Sequence, residues 1–196
     1  MLLWVGLGNP GPEHAGNRHN IGYMAVEAIA ERHAFAAWRR SNFHGLAAEG
    51  EVGGARVLAL KPTTYMNDSG RAAAAALRFY KLPVEALTAF HDELDLVPGK
   101  VRVKQGGGTA GHNGLRSLDA HVGNAFWRVR MGIGHPGHKD LVHPWVLGDF
   151  AKADRAWVVP VVQAVAEAAP LLARGDAQGF MTKVALLSGK GGDEGA

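Results

Sequence analysis

The sequence predicts an α/β fold: a single three-layer α/β/α domain built on a mixed, mostly parallel sheet. Three observations lead there. Short apolar runs alternate with stretches of helical periodicity along most of the chain, and the runs end in loops rich in glycine, proline and asparagine. One pair of strands is joined by Gly53-Gly54, a connection suited to a tight antiparallel hairpin. The length of 196 residues is that of one ordinary domain. Residues 1–188 are read as that domain, and 189–196, glycine-rich and charged, as a flexible tail.

Residues 2–7 form an unbroken apolar run, the first strand, which stops at Gly8-Asn9-Pro10-Gly11-Pro12. The first helix is expected near Asn20, because Ile21, Met24, Ala25, Ala28 and Ile29 then share a face. Residues 45–52 and 55–60 are the two hairpin strands. The stretch 61–67 holds too much proline and threonine for a helix interior. Ser69 is read as the cap of an alanine-rich helix at 71–81, which leaves Asn67 in a strand-to-helix loop. Strands are expected at 87–91, with Asp92 at the end, at 101–104 and at 126–133, and a helix at 113–122. Beyond Gly148 the pattern is helical, with Val158, Val161, Val162, Val165, Ala169 and Leu172 as its apolar stripe. Pro160 and Pro170 are expected to kink or bound that helix.

Apolar residues make up 47% of the chain and charged residues 20%, the balance of a soluble globular domain rather than a disordered one. No apolar run is seen to approach the ~20 residues of a membrane span. The N-terminus lacks the basic segment and cleavage site of a signal peptide, so the expected compartment is the cytoplasm. The absence of cysteine removes disulfides, thiolate zinc sites and cysteine nucleophiles together. A formal charge of +3 is a mild basic bias, compatible with an anionic partner.

Gly6-Leu7-Gly8-Asn9-Pro10-Gly11 has the GxGxxG spacing of a dinucleotide fingerprint, but the context is wrong. That fingerprint needs its last glycine in the opening turn of a helix, whereas Pro12 and Gly16 follow here. Glu31, at the spacing of a ribose-binding carboxylate, falls inside the predicted helix. Ser41, Ser69, Ser117 and Ser188 sit in no GxSxG elbow, so activated water is the attacking group that remains. Histidine suits the activation of water near neutrality, with its ordinary pKa of ~6.5.

Among ten histidines, His19 stands on a loop after a strand end, where α/β sheets gather their sites; the alternative is a surface or helix-capping histidine. Asp92, at another strand end in His91-Asp92-Glu93-Leu94-Asp95, is a carboxylate able to fix an imidazole tautomer; the alternative is an acidic turn. Asn9, Asn67 and Asn113 lie in loops at the sheet edge. Their amides can hold a carbonyl, support an oxyanion or position water, although each also fits an ordinary turn. Lys100, Arg102 and Lys104 share one strand face, and Arg128 and Arg130 another. Two readings stand for them, a phosphate-binding face and a solvated one. His135, His138, Asp140 and His143 lie close in sequence but match no zinc spacing, so they are read as a histidine-rich loop.

The blocks Gly6 to Gly11, Arg18-His19-Asn20, Pro62-Thr63-Thr64-Tyr65-Met66-Asn67, His91 to Asp95 and Gly111-His112-Asn113-Gly114-Leu115 resemble, in order, the signatures of bacterial peptidyl-tRNA hydrolases. Gly132-Ile133-Gly134-His135-Pro136-Gly137 and Val146-Leu147-Gly148 add two more, so the resemblance spans residues 1–150. It implies His19 as the base that activates water and Asp92 as its orienting carboxylate. Asn9, Tyr65, Asn67 and Asn113 would be substrate-binding, with Lys104 and Arg130 on tRNA phosphates. The implied partner is peptidyl-tRNA, held by its acceptor stem and 3′ end. No cofactor, metal, membrane or obligate protein partner is implied, and the chain is expected to be a monomer.

The resemblance further implies that amides built to bond the peptide link of an N-acylated substrate would spare free aminoacyl-tRNA. Three departures stand out: His14 replaces the family's usual tyrosine, Pro160 and Pro170 interrupt the last long helix, and His143-Pro144-Trp145 differs from the usual lid sequence. The alternative class, an RNA binder without turnover, has no use for His19 and Asp92.

Overall fold

The computed structural model describes residues 1–189; the expected tail at 189–196 lies outside them except for Gly189. The described residues form seven strands: β1 (Leu2–Gly6), β2 (Arg39–Arg40), β3 (Gly45–Val52), β4 (Ala55–Pro62), β5 (Leu87–Glu93), β6 (Val101–Gln105) and β7 (Trp127–Gly132). The helices are α1 (Ile21–Arg32), α2 (Ser69–Tyr80), α3 (Asn113–Val122), α4 (Val142–Val146), α5 (Arg155–Ala173) and α6 (Ala177–Leu187).

One sheet runs in the order β2-β3-β4-β1-β5-β7-β6. Its four central strands are parallel, while β3, β6 and β2 each join their neighbour antiparallel, so five of the seven strands point one way. The β3–β4 hairpin turns through Gly53 and Gly54 at φ +57 and +83, as a primed turn demands.

Alternation along the central strands divides the core in two. Trp4 and Phe90 face a layer made by α1, α5 and α6, whereas Leu3, Val5, Leu87 and Ala89 face the alanine-rich side of α2 and Leu115 and Leu118 of α3. Every residue of β5 is buried, as expected for a parallel strand covered on both faces.

Within α5 both prolines are accommodated: the helix neither stops nor starts at them. Pro170 cannot donate to the carbonyl of Ala166, and His33 Nε2 donates to that oxygen instead at 2.7 Å. The carbonyl of Ala156, which Pro160 leaves free, belongs to an exposed residue open to water. With its preceding turn, this segment (Lys152–Ala173) is long and apolar enough to cross a membrane, contrary to the expectation that no such run exists. Its stripe of Val158, Val161, Val162, Val165 and Ala169 is buried against α1 and α6 in the core.

The sheet order places the site. The strand order reverses at β1, which has β4 on one side and β5 on the other, and the loops after these three parallel strands meet outside their carboxyl ends. Gly22, near the start of α1, permits the closest contact there: a Cβ would collide with the Phe90 carbonyl and crowd Leu7. That approach seats the turn before α1 directly on the end of β5.

Candidate active site

A cleft of about 670 Å³ opens at this switch point, and Asn9, His19, Tyr65, Asn67, Asp92 and Asn113 all line it. Arg18–Asn20 make a 3-10 turn that carries His19 inward. The imidazole Nδ1 donates to the Asp92 carboxylate, 2.9 Å from Oδ2 and 3.0 Å from Oδ1. Its Nε2 has no hydrogen-bond partner among the described residues and faces the cleft. Burial opposes a charge on His19, but the Asp92 carboxylate outweighs it and raises the imidazole above its usual range. Asp92 is fully buried, which alone would raise its pKa. His19 and His112, by charge and hydrogen bond, hold it well below the usual carboxylate range.

His112 is the residue that sequence reasoning missed. Its Nε2 donates to Asp92 Oδ1 at 2.8 Å, so the carboxylate lies between two imidazoles. Its Nδ1 accepts from the Gly114 and Leu115 amides at 3.1 and 3.3 Å, capping α3 and fixing the proton on Nε2. The available signal was positional: a histidine immediately before a helix that starts at Asn113 occupies the cap. Beneath both lies His91, whose Nδ1 donates to the Asp92 carbonyl at 2.8 Å. Burial, reinforced by the neighbouring His112, pushes His91 down to about 3, so its ring is neutral.

The asparagines are held unequally. Asn9 is clamped by Asn20, which accepts from its amide and donates to its carbonyl, both at 2.9 Å. Asn9 Oδ1 accepts from Met66 N–H at 2.8 Å, which fixes the side-chain amide and leaves its Nδ2 toward the cleft. Asn67 sits in the 3-10 turn Met66–Asp68. The expectation that Ser69 caps α2 is not met. It is the first residue of that helix, and its hydroxyl donates to Met66 O at 2.8 Å, pinning the Asn67 turn instead. Asn67, Asn113 and Tyr65 are exposed, Tyr65 by 73%, and border the cleft without being locked.

The basic strands do not form one uniform face. Arg102 pairs with Arg130 and Lys104 with Arg128 across β6 and β7. Arg128 is withdrawn from solvent, and its guanidinium donates to the carbonyls of Gly107 and Gly108, tethering the glycine loop that leads to His112. Neither the phosphate-binding nor the solvated reading therefore holds for Arg128. Arg130 is partly exposed and bonds Glu93 at 2.9 Å, while Lys104 is half-buried at the sheet edge.

The roof of the cleft comes from the segment after β7, with His135, Lys139, Val142, His143, Val146 and Leu147 on its inner side. Among the described residues, His135, His138, Asp140 and His143 form no convergent ligand cluster. The one such group is His19, Asp92 and His112, with ligand atoms within 4.8 Å of one another. The three are already joined by hydrogen bonds from His19 Nδ1 and His112 Nε2 to the Asp92 carboxylate. The dinucleotide reading also stays excluded, because two 3-10 turns follow Gly11 before α1 begins at Ile21.

A histidine with one nitrogen fixed by a carboxylate and the other free at a cleft can take a proton from water. Comparison with known proteins agrees with the resemblance in the motifs. The family model described as "Peptidyl-tRNA hydrolase" matches residues 3–191. A peptidyl-tRNA hydrolase of Acidiphilium cryptum is 64% identical over 189 residues, 96% of this chain and 98% of that protein. One from Granulibacter bethesdensis is 61% identical over 96% of this chain and 97% of that protein. The crystal structure of the Acinetobacter baumannii peptidyl-tRNA hydrolase superposes with a TM-score of 0.89 at 39% identity, covering 96% of each chain. On the strength of a match that runs almost end to end, this chain belongs to the peptidyl-tRNA hydrolase family.

Proposed function

We propose that this chain hydrolyses the ester that joins an N-blocked peptidyl group to the 3′-terminal ribose of tRNA, acting as a monomer without metal or covalent intermediate. The observation that carries the reading is the His19–Asp92 pair, bonded at 2.9 Å through Nδ1 with Nε2 left free at the cleft. Water beside Nε2 attacks the ester carbonyl as His19 takes its proton. The tetrahedral centre collapses, the ribose oxygen leaves, and the imidazolium returns the proton to it. The products are a peptide acid and free tRNA. Asp92 fixes the tautomer and supports the transient imidazolium, a contribution that His112 tunes by sharing the same carboxylate.

Asn9 Nδ2, oriented by its bond to Met66, suits the carbonyl of the substrate's first peptide link, with Asn67, Asn113 and Tyr65 completing the grip. A free aminoacyl-tRNA offers no such carbonyl and leaves the Asn9 donor unpaired. Lys104, on the edge strand β6, and Arg130, beside Glu93 on the neighbouring β7, are assigned to acceptor-stem phosphates.

Incubation with N-acetyl-aminoacyl-tRNA in the presence of EDTA tests this reading. Release of the acetylated amino acid, with free aminoacyl-tRNA spared, is the expected result. Binding without release would make the chain an RNA binder, loss of activity with EDTA would make it a metalloenzyme, and equal cleavage of both substrates would remove the role of Asn9.

A further inference from the structure

We infer that Arg128 is a positioning residue for the reaction: its buried guanidinium holds the glycine loop, so that the turn after it keeps the shape that seats His112 on Asp92 and Asn113 at the cleft. The inference rests on the hydrolase reading and adds to it a residue that touches neither the substrate nor the reacting atoms. Arg128 is fully buried in β7, where its Nη1 donates to Gly108 O at 2.6 Å and its Nη2 to Gly107 O at 3.0 Å. A planar fork suits two successive carbonyls, which a single-point donor could not hold together. Asn124 closes on the same loop, accepting from Gly107 N–H at 3.2 Å and donating to Gly107 O at 2.8 Å. Asp119 of α3 joins the two, 3.4 Å from Arg128 and 3.2 Å from Asn124. Gly106 and Gly107 stand at φ +67 and +102, so bonds of this kind remove a freedom that the glycines themselves leave open.

Two observations give Arg128 this role rather than one in packing alone. The first is the turn that follows the loop. Thr109, Ala110 and Gly111 line the cleft, and His112 N–H bonds Thr109 O at 2.9 Å, with Ala110 at φ +48 and Gly111 at φ +78. A primed turn of this kind suits glycine at both central positions. Ala110 carries a Cβ there, at a cost on the order of 1 kcal/mol that persists only where both ends of the turn are held. The far end is fixed by His112, which bonds Asp92 and caps α3, and by Gly114, packed so closely on Met66 and Leu7 that a Cβ would collide. The near end is fixed by Arg128. Held in this way, the His112 ring centre lies 4.9 Å from that of His19. The second observation is energetic. Arg128 has a carboxylate at 3.4 Å that it shares with Asn124, and its Nε bonds nothing among the described residues. A cation buried on such terms contributes little stability, and an apolar side chain against the Phe126 ring, which the guanidinium covers at 4.5 Å, would serve β7 at least as well. What the guanidinium supplies instead is the position of two carbonyls.

The test is steady-state hydrolysis of N-acetyl-aminoacyl-tRNA by the wild-type chain, by Arg128→Met and Arg128→Lys, and by each of these combined with Ala110→Gly. Arg128→Met should lower kcat by about ten- to a hundredfold while KM stays within about twofold. Arg128→Lys, which keeps the charge but reaches one carbonyl, should lose about three- to tenfold. Adding Ala110→Gly should restore kcat by about threefold or more in either background, because glycine removes the strain that opens the turn. The salt dependence of tRNA binding should keep its slope in every variant, since a buried guanidinium meets no phosphate. Should Arg128→Met fail to fold, the Arg128→Lys pair decides by the same criteria. An unchanged kcat, or a loss that Ala110→Gly does not relieve, would overturn the inference and leave the hydrolase reading intact. A loss carried by KM, with the salt slope reduced by about 1, would make Arg128 a phosphate ligand and overturn it as well. No hydrolysis by the wild-type chain would overturn both.

Discussion

His19 can act as a base only while its Nε2 is unprotonated, and the Asp92 carboxylate that positions it also makes that condition harder to meet. Because the carboxylate raises His19 above the usual imidazole range, the acid limb of kcat/KM should lie above pH ~6.5, with activity rising as pH rises through it. Asp92→Asn removes the charge that raises His19, so the limb should move to lower pH. The rate should fall by about two to four orders of magnitude, as the imidazolium loses its support. A pH–rate series on both proteins checks the two outcomes together, and a limb that stays in place would mean that Asp92 does not set it. The same scale explains what the sequence concealed. His19, Asp92 and the asparagines could be placed at the sheet edge because strand ends and loops locate them, and the motif resemblance grouped them into one site. The second imidazole on Asp92 was not, since pairing between His112 and a residue twenty positions earlier depends on how α3 docks. Arg128 looked like half of a basic stripe because alternation reports the side of a strand and not whether a loop closes over it.

At the level of elements, the roof segment is fastened to the turn that carries His19. Trp145, in α4, stacks on the Arg18 guanidinium at 3.6 Å and accepts from it through its carbonyl at 3.1 Å. Arg18 N–H bonds Gly148 O, Phe150 N–H bonds Gly16 O, and Asn17 donates to Asp149 at 2.8 Å. The helix α4 therefore cannot lift without pulling on the residue next to the base. Arg18→Ala and Trp145→Leu should each cost about 1 kcal/mol of roof docking and raise KM several-fold. Because both remove the same contact, the double variant should be little worse than either alone, as a double-mutant cycle on kcat/KM would reveal. Additive losses would mean that the two act separately. The sequence forecast most elements because their apolar periods were clean: β3, β4 and α3 lie where the pattern puts them. It gave no sign of β2, two charged residues without an apolar partner to mark a face, nor of α4, whose histidine and proline read as loop. It did not show that α5 runs through both prolines, because the bond from His33 to the Ala166 carbonyl comes from a residue more than a hundred positions away.

Over the whole molecule, the buried cluster at the end of β5 should make stability fall in acid in a way that separates its members. His91 is neutral when folded, at about 3, so its contribution is complete above pH ~6.5 and is lost as pH falls toward 3. His19 is shifted the other way, so its contribution is complete below ~6.5 and is lost only as pH rises through its folded value. Asp92, lowered by folding, contributes fully above its ordinary value of ~3.9. Between about pH 6 and 4 the last two are constant and His91 alone among the three titrates. The wild-type chain should lose up to about 1.4 kcal/mol per pH unit there, and His91→Phe should flatten that slope by the same amount. Urea unfolding at several pH values measures it, and an unchanged slope in the variant would show that His91 is not the group responsible.

What unites these scales is the reversal of strand order at β1, which sets the loops of β1, β4 and β5 against one another and so brings one imidazole to one acid beside a cleft. Single-turnover hydrolysis of N-acetyl-aminoacyl-tRNA by wild-type and His19→Ala protein, both at saturating enzyme, tests that claim most directly. The account predicts that the variant still binds the substrate but cleaves it at least about a hundredfold more slowly. A variant that cleaves as fast as the wild type would contradict it.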